Sequence, residues 1–285
     1  MTGVPIEATD PFYVPPYAFD RLSQVLDLLQ VRQQEPGRFE APTADEMPMA
    51  SGGILVGQAI LAARHWCTDA DLQSVQATFL RSGRTDQPVT IQLTERLRGR
   101  SLVVAGVEVV QGDRDLMAGT IVLSRPGPDT LVHAASAPPS LPNDHHLVAH
   151  GLAPWQVWEP TPPRSTRQPD GNIRLELSSI IPVEVSAIGP LAPQAVLAHF
   201  LETLVQPTII RAWSSLEVAG VGGLPTRLAI ANNLTCHGSS IPVGEPIGLV
   251  IEGVHAGHGR FHGRAQVFDA GGAIVASLDQ SGVLR

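Results

Sequence analysis

Cysteine is scarce in this chain of 285 residues: Cys67 and Cys236 are the only two, and they share no motif. A disulfide framework therefore has no basis, and a reduced, cytoplasmic protein is the simplest expectation. Basic clusters are missing too. With 19 Lys and Arg against 27 Asp and Glu the net charge is −8, which argues against nucleic acid or an anionic membrane as a partner. No apolar run reaches the roughly 20 residues that a membrane span requires. Residues 1–16 lack a basic n-region and an apolar h-region, so no signal peptide is expected. Aromatic residues are few, with seven Phe, four Trp and two Tyr, so an apolar channel in this protein is expected to be lined by Leu, Val and Ile.

What is present is a globular composition, 43% apolar and 16% charged, with a layout that occurs twice. Phe79-Leu80-Arg81-Ser82-Gly83 leads into Gln87-Pro88-Val89, two strand-like runs, Gly112-Asp113 and Leu116-Met117-Ala118. His237-Gly238-Ser239-Ser240 leads into Glu245-Pro246-Ile247, two strand-like runs, Gly271-Gly272 and Ile274-Val275-Ala276. Pro88 and Pro246 stand 158 positions apart, as do Ala118 and Ala276. So long a period marks a duplicated domain rather than a solenoid repeat. A fused pseudo-dimer is expected, of the kind in which an active site can survive in one half only.

Apolar spacing predicts a helix over 18–30, with Phe19, Leu22, Val25, Leu26 and Leu29 on one face. A second helix is expected over 54–66, opened by Ser51-Gly52-Gly53, and strands over 72–80, 89–97, 102–111 and 116–123. The second half repeats the plan, with a strand over 172–185 and a helical segment over 191–213 that Pro207 should kink or end. Strands over 226–236, 247–254, 259–269 and 273–284 follow. Each half is one helix against an antiparallel meander, an α+β arrangement. Residues 1–17 are expected to be extended, and 33–51 to be loop or short strand. Residues 125–172 hold ten of the 25 prolines and read as a crossover, giving domains 1–125 and 172–285 around a linker 126–171. His133, His145, His146 and His150 have no carboxylate or Cys at a ligand spacing, so no metal is expected there.

Three stretches resemble the acyl-CoA thioesterase II family. Gly52-Gly53-Ile54-Leu55-Val56-Gly57-Gln58-Ala59 is similar to its first helix. Phe79-Leu80-Arg81-Ser82-Gly83 resembles its phenylalanine-leucine-arginine-proline-glycine strand end, with Ser82 in place of the proline. Residues 272–285 resemble its C-terminal signature. The similarity covers roughly 18–125 and 172–285. It implies a double hotdog fold and the hydrolysis of an acyl-CoA thioester without a cofactor. It also implies an Asp on the second helix, a Ser or Thr on the following strand and a Gln near the C-terminus. The Gln matches Gln280, and the acid matches best to Glu202. The Ser/Thr position falls on Ala229, and a further acid of the family falls on Ala231; both are departures.

Thioester hydrolysis needs an activated water and a polarised carbonyl. Glu202 is the candidate base, or else a solvated residue at the edge of the stripe Leu197, Leu201, Leu204 and Val205. Gln280 is the candidate to position the water; it lies in an apolar strand, where a buried unpaired amide is costly. In a regular strand Asn233 shares a face with Ala229 and Ala231, which makes it the preferred substitute for the lost hydroxyl, while a bulge would hand that place to Asn232. Gly52 and Gly53 serve either close packing or the binding of a developing oxyanion. Gln58 either lines the pseudo-symmetric site or joins the halves.

Arg81, with Arg96, Arg98 and Arg100, is a candidate grip on CoA phosphates, or a solvated strand end. The resemblance places His255 and His258 near the substrate channel, as candidates for the same phosphates. With His262 they suit a turn around Gly257 better than a metal-ligand set. Cys236 as a covalent nucleophile would need His237 as its base, but adjacent strand residues face apart. Three functions are therefore held open: an acyl-CoA thioesterase with an altered catalytic set, a degenerate hotdog protein that binds acyl-CoA or a partner without turnover, and an enoyl-CoA hydratase or dehydratase. A homo-oligomer is expected by fold analogy alone.

Overall fold

Positions 53–63 of the second helix are buried without a break. A helix that is apolar all round cannot lie on a surface, and this one is enclosed between a second long helix and a sheet. The computed structural model describes Phe19 and residues 21–44, 50–127, 145–148, 154–160, 165–167, 173–214, 227–238 and 240–284. For 145–148, 160, 165–167, 173, 206–214 and 227 it describes the course of the backbone. The expected extended segment 1–17 lies outside these residues, as do His133 and His150.

The first half comprises α1 (Leu22–Leu28), β1 (Arg32–Glu35), β2 (Arg38–Ala41), α2 (Gly52–Trp66), β3 (Asp71–Phe79), β4 (Val89–Arg98), β5 (Leu102–Gln111) and β6 (Arg114–Ser124). Three short strands follow, β7 (His145–Val148), β8 (Val157–Pro160) and β9 (Ser165–Arg167). The second half comprises β10 (Ile173–Ile180), a 3-10 turn (Val183–Ile188), α3 (Ala192–Ser214), β11 (Arg227–Cys236), β12 (Pro246–Gly257), β13 (Arg260–Phe268) and β14 (Ile274–Leu284). Each half is thus a helix held against an antiparallel meander. The expected strand 172–185 stops at Ile180, where Pro182 opens the 3-10 turn. Pro207 does not end α3, which runs on to Ser214; proline removes a single ladder hydrogen bond, and the turns on either side carry the helix past it.

All strands join one antiparallel sheet in the order β1-β2-β4-β5-β6-β3-β11-β14-β13-β12-β10-β8-β7, with β9 beside β10. The halves meet where β3 pairs β11, with Ala77 opposite Asn232 and Gln76 opposite Asn233. Helices α2 and α3 pack against each other through glycine. A Cβ on Gly53 would stand 2.6 Å from the His199 Cα, and one on Gly57 would stand 2.9 Å from the Ala195 carbonyl oxygen. The chain of α2 therefore runs opposite to that of α3, and only glycine permits this approach.

The duplication is written in the sheet's irregularities. Gln73 bulges from β3 and Ile230 from β11. Arg96 bulges from β4 and Val254 from β12. Leu116 bulges from β6 and Val275 from β14. Each pair is separated by 157 to 159 positions, so all three bulges recur at matching places in the two meanders. The bulge at Ile230 has a direct consequence. A bulge adds one residue and so reverses the alternation of side chains beyond it, which leaves Ala229 opposite Gly282 and Asn232 opposite Gln280.

Candidate active site

Leu278, Gln280 and Gly282 alternate along the helix-facing side of β14, and all three are buried. Asn232 is their neighbour on β11, buried and directly opposite Gln280. Neither amide is satisfied: Gln280 Oε1, Gln280 Nε2 and Asn232 Oδ1 have no hydrogen-bond partner. A buried polar atom left unpaired costs about 1–3 kcal/mol, so a pair of such side chains on adjacent strands is what a site for a polar guest looks like. In the first half the matching pair, two positions past the β3 bulge, is Val75 opposite Ile121. Both are buried and apolar. The polar pair belongs to one half only.

Asn233, expected to replace the missing hydroxyl, points the other way. It lies opposite Gln76 on β3 and Asp279 on β14, on the outer face of the sheet, because the Ile230 bulge gives the inward place to Asn232. A groove of about 590 Å³ is on that outer side, where the exposed Gln76, Thr78 and Asp279 line it together with Asn233 and His262. It is open, and Asn232 and Gln280 also border it.

The carboxyl group is placed by α3. Glu202 is partly buried, and its Oε2 accepts the Gly53 N–H at 3.1 Å, at the N-terminus of α2. Burial pushes its pKa up to about 7, against the pull of that hydrogen bond in the other direction. The apolar stripe of α3 thus continues inward past Glu202, which is not a solvated edge residue. Its neighbour is Phe79: a Cβ on Gly52 would meet the Phe79 ring at 2.7 Å and Glu202 Oε1 at 3.2 Å. Pairing of β3 with β11 ends at Thr78 opposite Ala231, so Phe79 stands between the start of α2 and the Ile230 bulge.

Of the two tasks expected of Gly53, close packing is the one seen, here against α3. It permits close packing, and its N–H is taken up by Glu202 rather than left open to substrate. Gln58 is also corrected from a substrate contact to a brace. It is fully buried, and its Nε2 donates to the carbonyls of Leu28 (2.7 Å) and Pro42 (2.8 Å), tying α2 to the end of α1 and the loop after β2. Arg81 lies at the rim. The Ala50 N–H donates to the Gly83 carbonyl at 3.2 Å, which brings residues 81–83 beside the start of α2. The Arg81 guanidinium is 55% exposed, donates to the Asp115 carbonyl at 3.2 Å and stands 3.9 Å from the Asp115 carboxylate. His255 is exposed on β12, opposite His262 of β13, and is not brought to the Glu202 carboxylate. The tight turn between these strands is at His258 and Gly259, both with positive φ. Burial pushes the Cys236 thiol up to about 12, which keeps it protonated and removes its nucleophilicity.

One residue was overlooked by sequence reasoning. His199 lies one turn before Glu202 on α3, fully buried, with Nδ1 3.5 Å from Ser51 Oγ and its ring edge-on to Phe19. Its spacing of three from Glu202 on a helix was the available signal, since such residues share a face.

Residues 43–124 match the acyl-CoA thioesterase N-terminal domain. A comparison with curated proteins by sequence gives no match. Among solved structures, an acyl-CoA thioesterase II, TesB2, from Mycobacterium marinum is similar over 92% of this chain and 97% of its own, with TM-score 0.73 and 18% identity. A TesB protein from Mycobacterium avium subspecies paratuberculosis is similar over 93% of this chain and 100% of its own, with TM-score 0.72 and 17% identity. The dehydratase domain of a mycocerosic acid synthase-like polyketide synthase shares the fold more distantly, at TM-score 0.53 and 14% identity over 89% of this chain and 94% of its own. The chain thus matches an acyl-CoA thioesterase domain over part of its first half and has the double hotdog architecture along its length.

Proposed function

We propose that this protein hydrolyses an acyl-CoA thioester to a carboxylic acid and CoA by direct attack of water. The observation that carries the reading is the buried, unpartnered pair Asn232–Gln280 on the helix-facing side of the one half that retains polar residues there. The two amides hold the water. Glu202, whose pKa lies near neutrality, takes its proton through Oε1, the oxygen not engaged by Gly53. An acid or base with a pKa near the working pH transfers protons most effectively. The hydroxide adds to the carbonyl carbon, the tetrahedral intermediate expels the thiolate, and protonated Glu202 returns the proton to sulfur. Asn232 replaces Asn233 in this scheme. Acyl-CoA as the substrate class is supported by the matched domain over 43–124, and the half-exposed Arg81 is the candidate to meet a phosphate.

The test is thiol release from acyl-CoAs of graded chain length, comparing wild type with Glu202→Gln. Turnover that collapses in the variant supports the reading. Turnover that persists removes Glu202 as the base. Acyl-CoA binding without release by wild type would favour a degenerate binding protein. The His199–Glu202 spacing on α3 also supplies the histidine–acid pair that a hydratase or dehydratase requires, and product analysis with an enoyl-CoA separates that reaction from hydrolysis.

A further inference from the structure

The proposed hydrolysis leaves two donors unaccounted for. A developing oxyanion needs hydrogen-bond donors aimed at it, and the Gly53 N–H is engaged with Glu202. The strand hydroxyl implied by the family resemblance is absent at Ala229, which faces Gly282 with no polar group of its own. We propose that Ser51 supplies the missing hydroxyl as a further catalytic residue, donating a hydrogen bond to the thioester carbonyl oxygen, and that His199 is the positioning residue that aims it.

Ser51 is the N-cap of α2, a place where a serine ordinarily accepts an N–H of the first turn. Here its side chain makes no such bond. Its partner is the buried His199 ring, at 3.5 Å from Nδ1. Contacts of this length are common in empty sites and tighten when substrate binds. Ser51 itself is half-buried and lines a narrow cavity with Phe19, Leu28, Ile54 and Leu55. The order from the cavity inward is thus hydroxyl first, imidazole behind it. If the imidazole carries its proton on Nδ1, it donates to Ser51 Oγ, and the serine's own O–H is free to point away from the histidine. Glu202 Oε1 borders the adjacent Gly52, so the base and the hydroxyl flank the same helix start. This role rests on the hydrolytic reading above.

The experiment measures kcat and KM for thiol release by wild type, Ser51→Ala, Ser51→Thr and Glu202→Gln, with melting temperatures for each. Ser51→Ala is expected to lose tenfold or more in kcat with KM changed less than twofold, and to lower the melting temperature only modestly, since the hydroxyl caps no helix N–H and its contact with the buried His199 ring is long. Ser51→Thr keeps the hydroxyl and is expected to recover a third or more of the loss. His199→Asn, where it folds, should lower kcat in the wild type but add little to Ser51→Ala, because it acts through that hydroxyl. Nitrogen chemical shifts of His199 should report a proton on Nδ1. Full kcat in Ser51→Ala beside an inactive Glu202→Gln would overturn the role of Ser51 and leave hydrolysis standing. An acyl adduct on Ser51 in quenched reactions would overturn hydrogen bonding in favour of nucleophilic attack. Absence of thiol release by wild type at every chain length would overturn this inference and the hydrolytic reading together.

Discussion

Glu202 Oε2 accepts the backbone N–H of Gly53 at 3.1 Å, so a carboxyl on the helix of one half closes the N-terminus of the helix of the other. Two forces compete on that carboxyl. Burial disfavours its charge, and the exposed N–H groups at the start of α2 favour it. Burial dominates, and the pKa rises to about 7.

The charged form is the base, so activity should appear as that proton leaves. A plot of kcat against pH is expected to climb with an inflection near 7, and Glu202→Gln should lose at least a hundredfold at pH 8 while binding a non-hydrolysable acyl-CoA analogue as before. A flat profile from pH 5 to 8 in an active enzyme would contradict the assignment.

The same shift has the opposite sign for stability. A carboxyl whose folded pKa lies above its ordinary value of 4.5 stabilises the fold while protonated, and this contribution is lost as pH rises from about 4.5 to about 7. Glutamine retains the acceptor for Gly53 and carries no charge. Glu202→Gln is therefore expected to be more stable than wild type at pH 8, by up to about 3 kcal/mol, and no more stable at pH 4. Urea denaturation at the two pH values measures the difference directly.

Asn232 and Gln280 leave three amide atoms unpaired in the interior. Replacing such groups with apolar side chains removes a desolvation cost. Asn232→Leu with Gln280→Leu is expected to hold or raise the melting temperature while thiol release falls to background. A double variant that keeps its activity would show that the water is held elsewhere.

Gly53 and Gly57 form the seam between α2 and α3. An added methyl at Gly53 meets backbone, the His199 Cα at 2.6 Å, which cannot swing aside as a side chain can. Gly53→Ala should cost roughly 1–3 kcal/mol, the usual range for overpacking, and should shift Glu202 along with its helix. Loss of stability in a chemical denaturation curve, with a fall in kcat, is the expected pair of outcomes.

The alternation of apolar residues was enough to read both meanders and both long helices, because each strand buries one face and each helix is enclosed. That Gln280 sits on the last strand and Glu202 on the second long helix was legible; their part in catalysis is proposed. The choice between Asn232 and Asn233 was not. It turns on a single extra residue, Ile230, whose bulging depends on how β11 pairs with β14 and leaves no local mark in the sequence. Gln58 was misread for a similar reason: its partners, Leu28 and Pro42, lie on other elements, and a helix pattern does not reveal what a buried amide will reach. His199 was visible as a residue, and only the fold showed that it meets Ser51.

The recurrence of the three bulges means that the two meanders offer the same backbone, yet Val75 and Ile121 occupy in one the places that Asn232 and Gln280 occupy in the other. An oily pair cannot hold a water for attack. The stoichiometry of the protein follows: each chain should take up one equivalent of a non-hydrolysable acyl-CoA analogue in a calorimetric titration, and a chain with two architectural halves should count as a single catalytic centre.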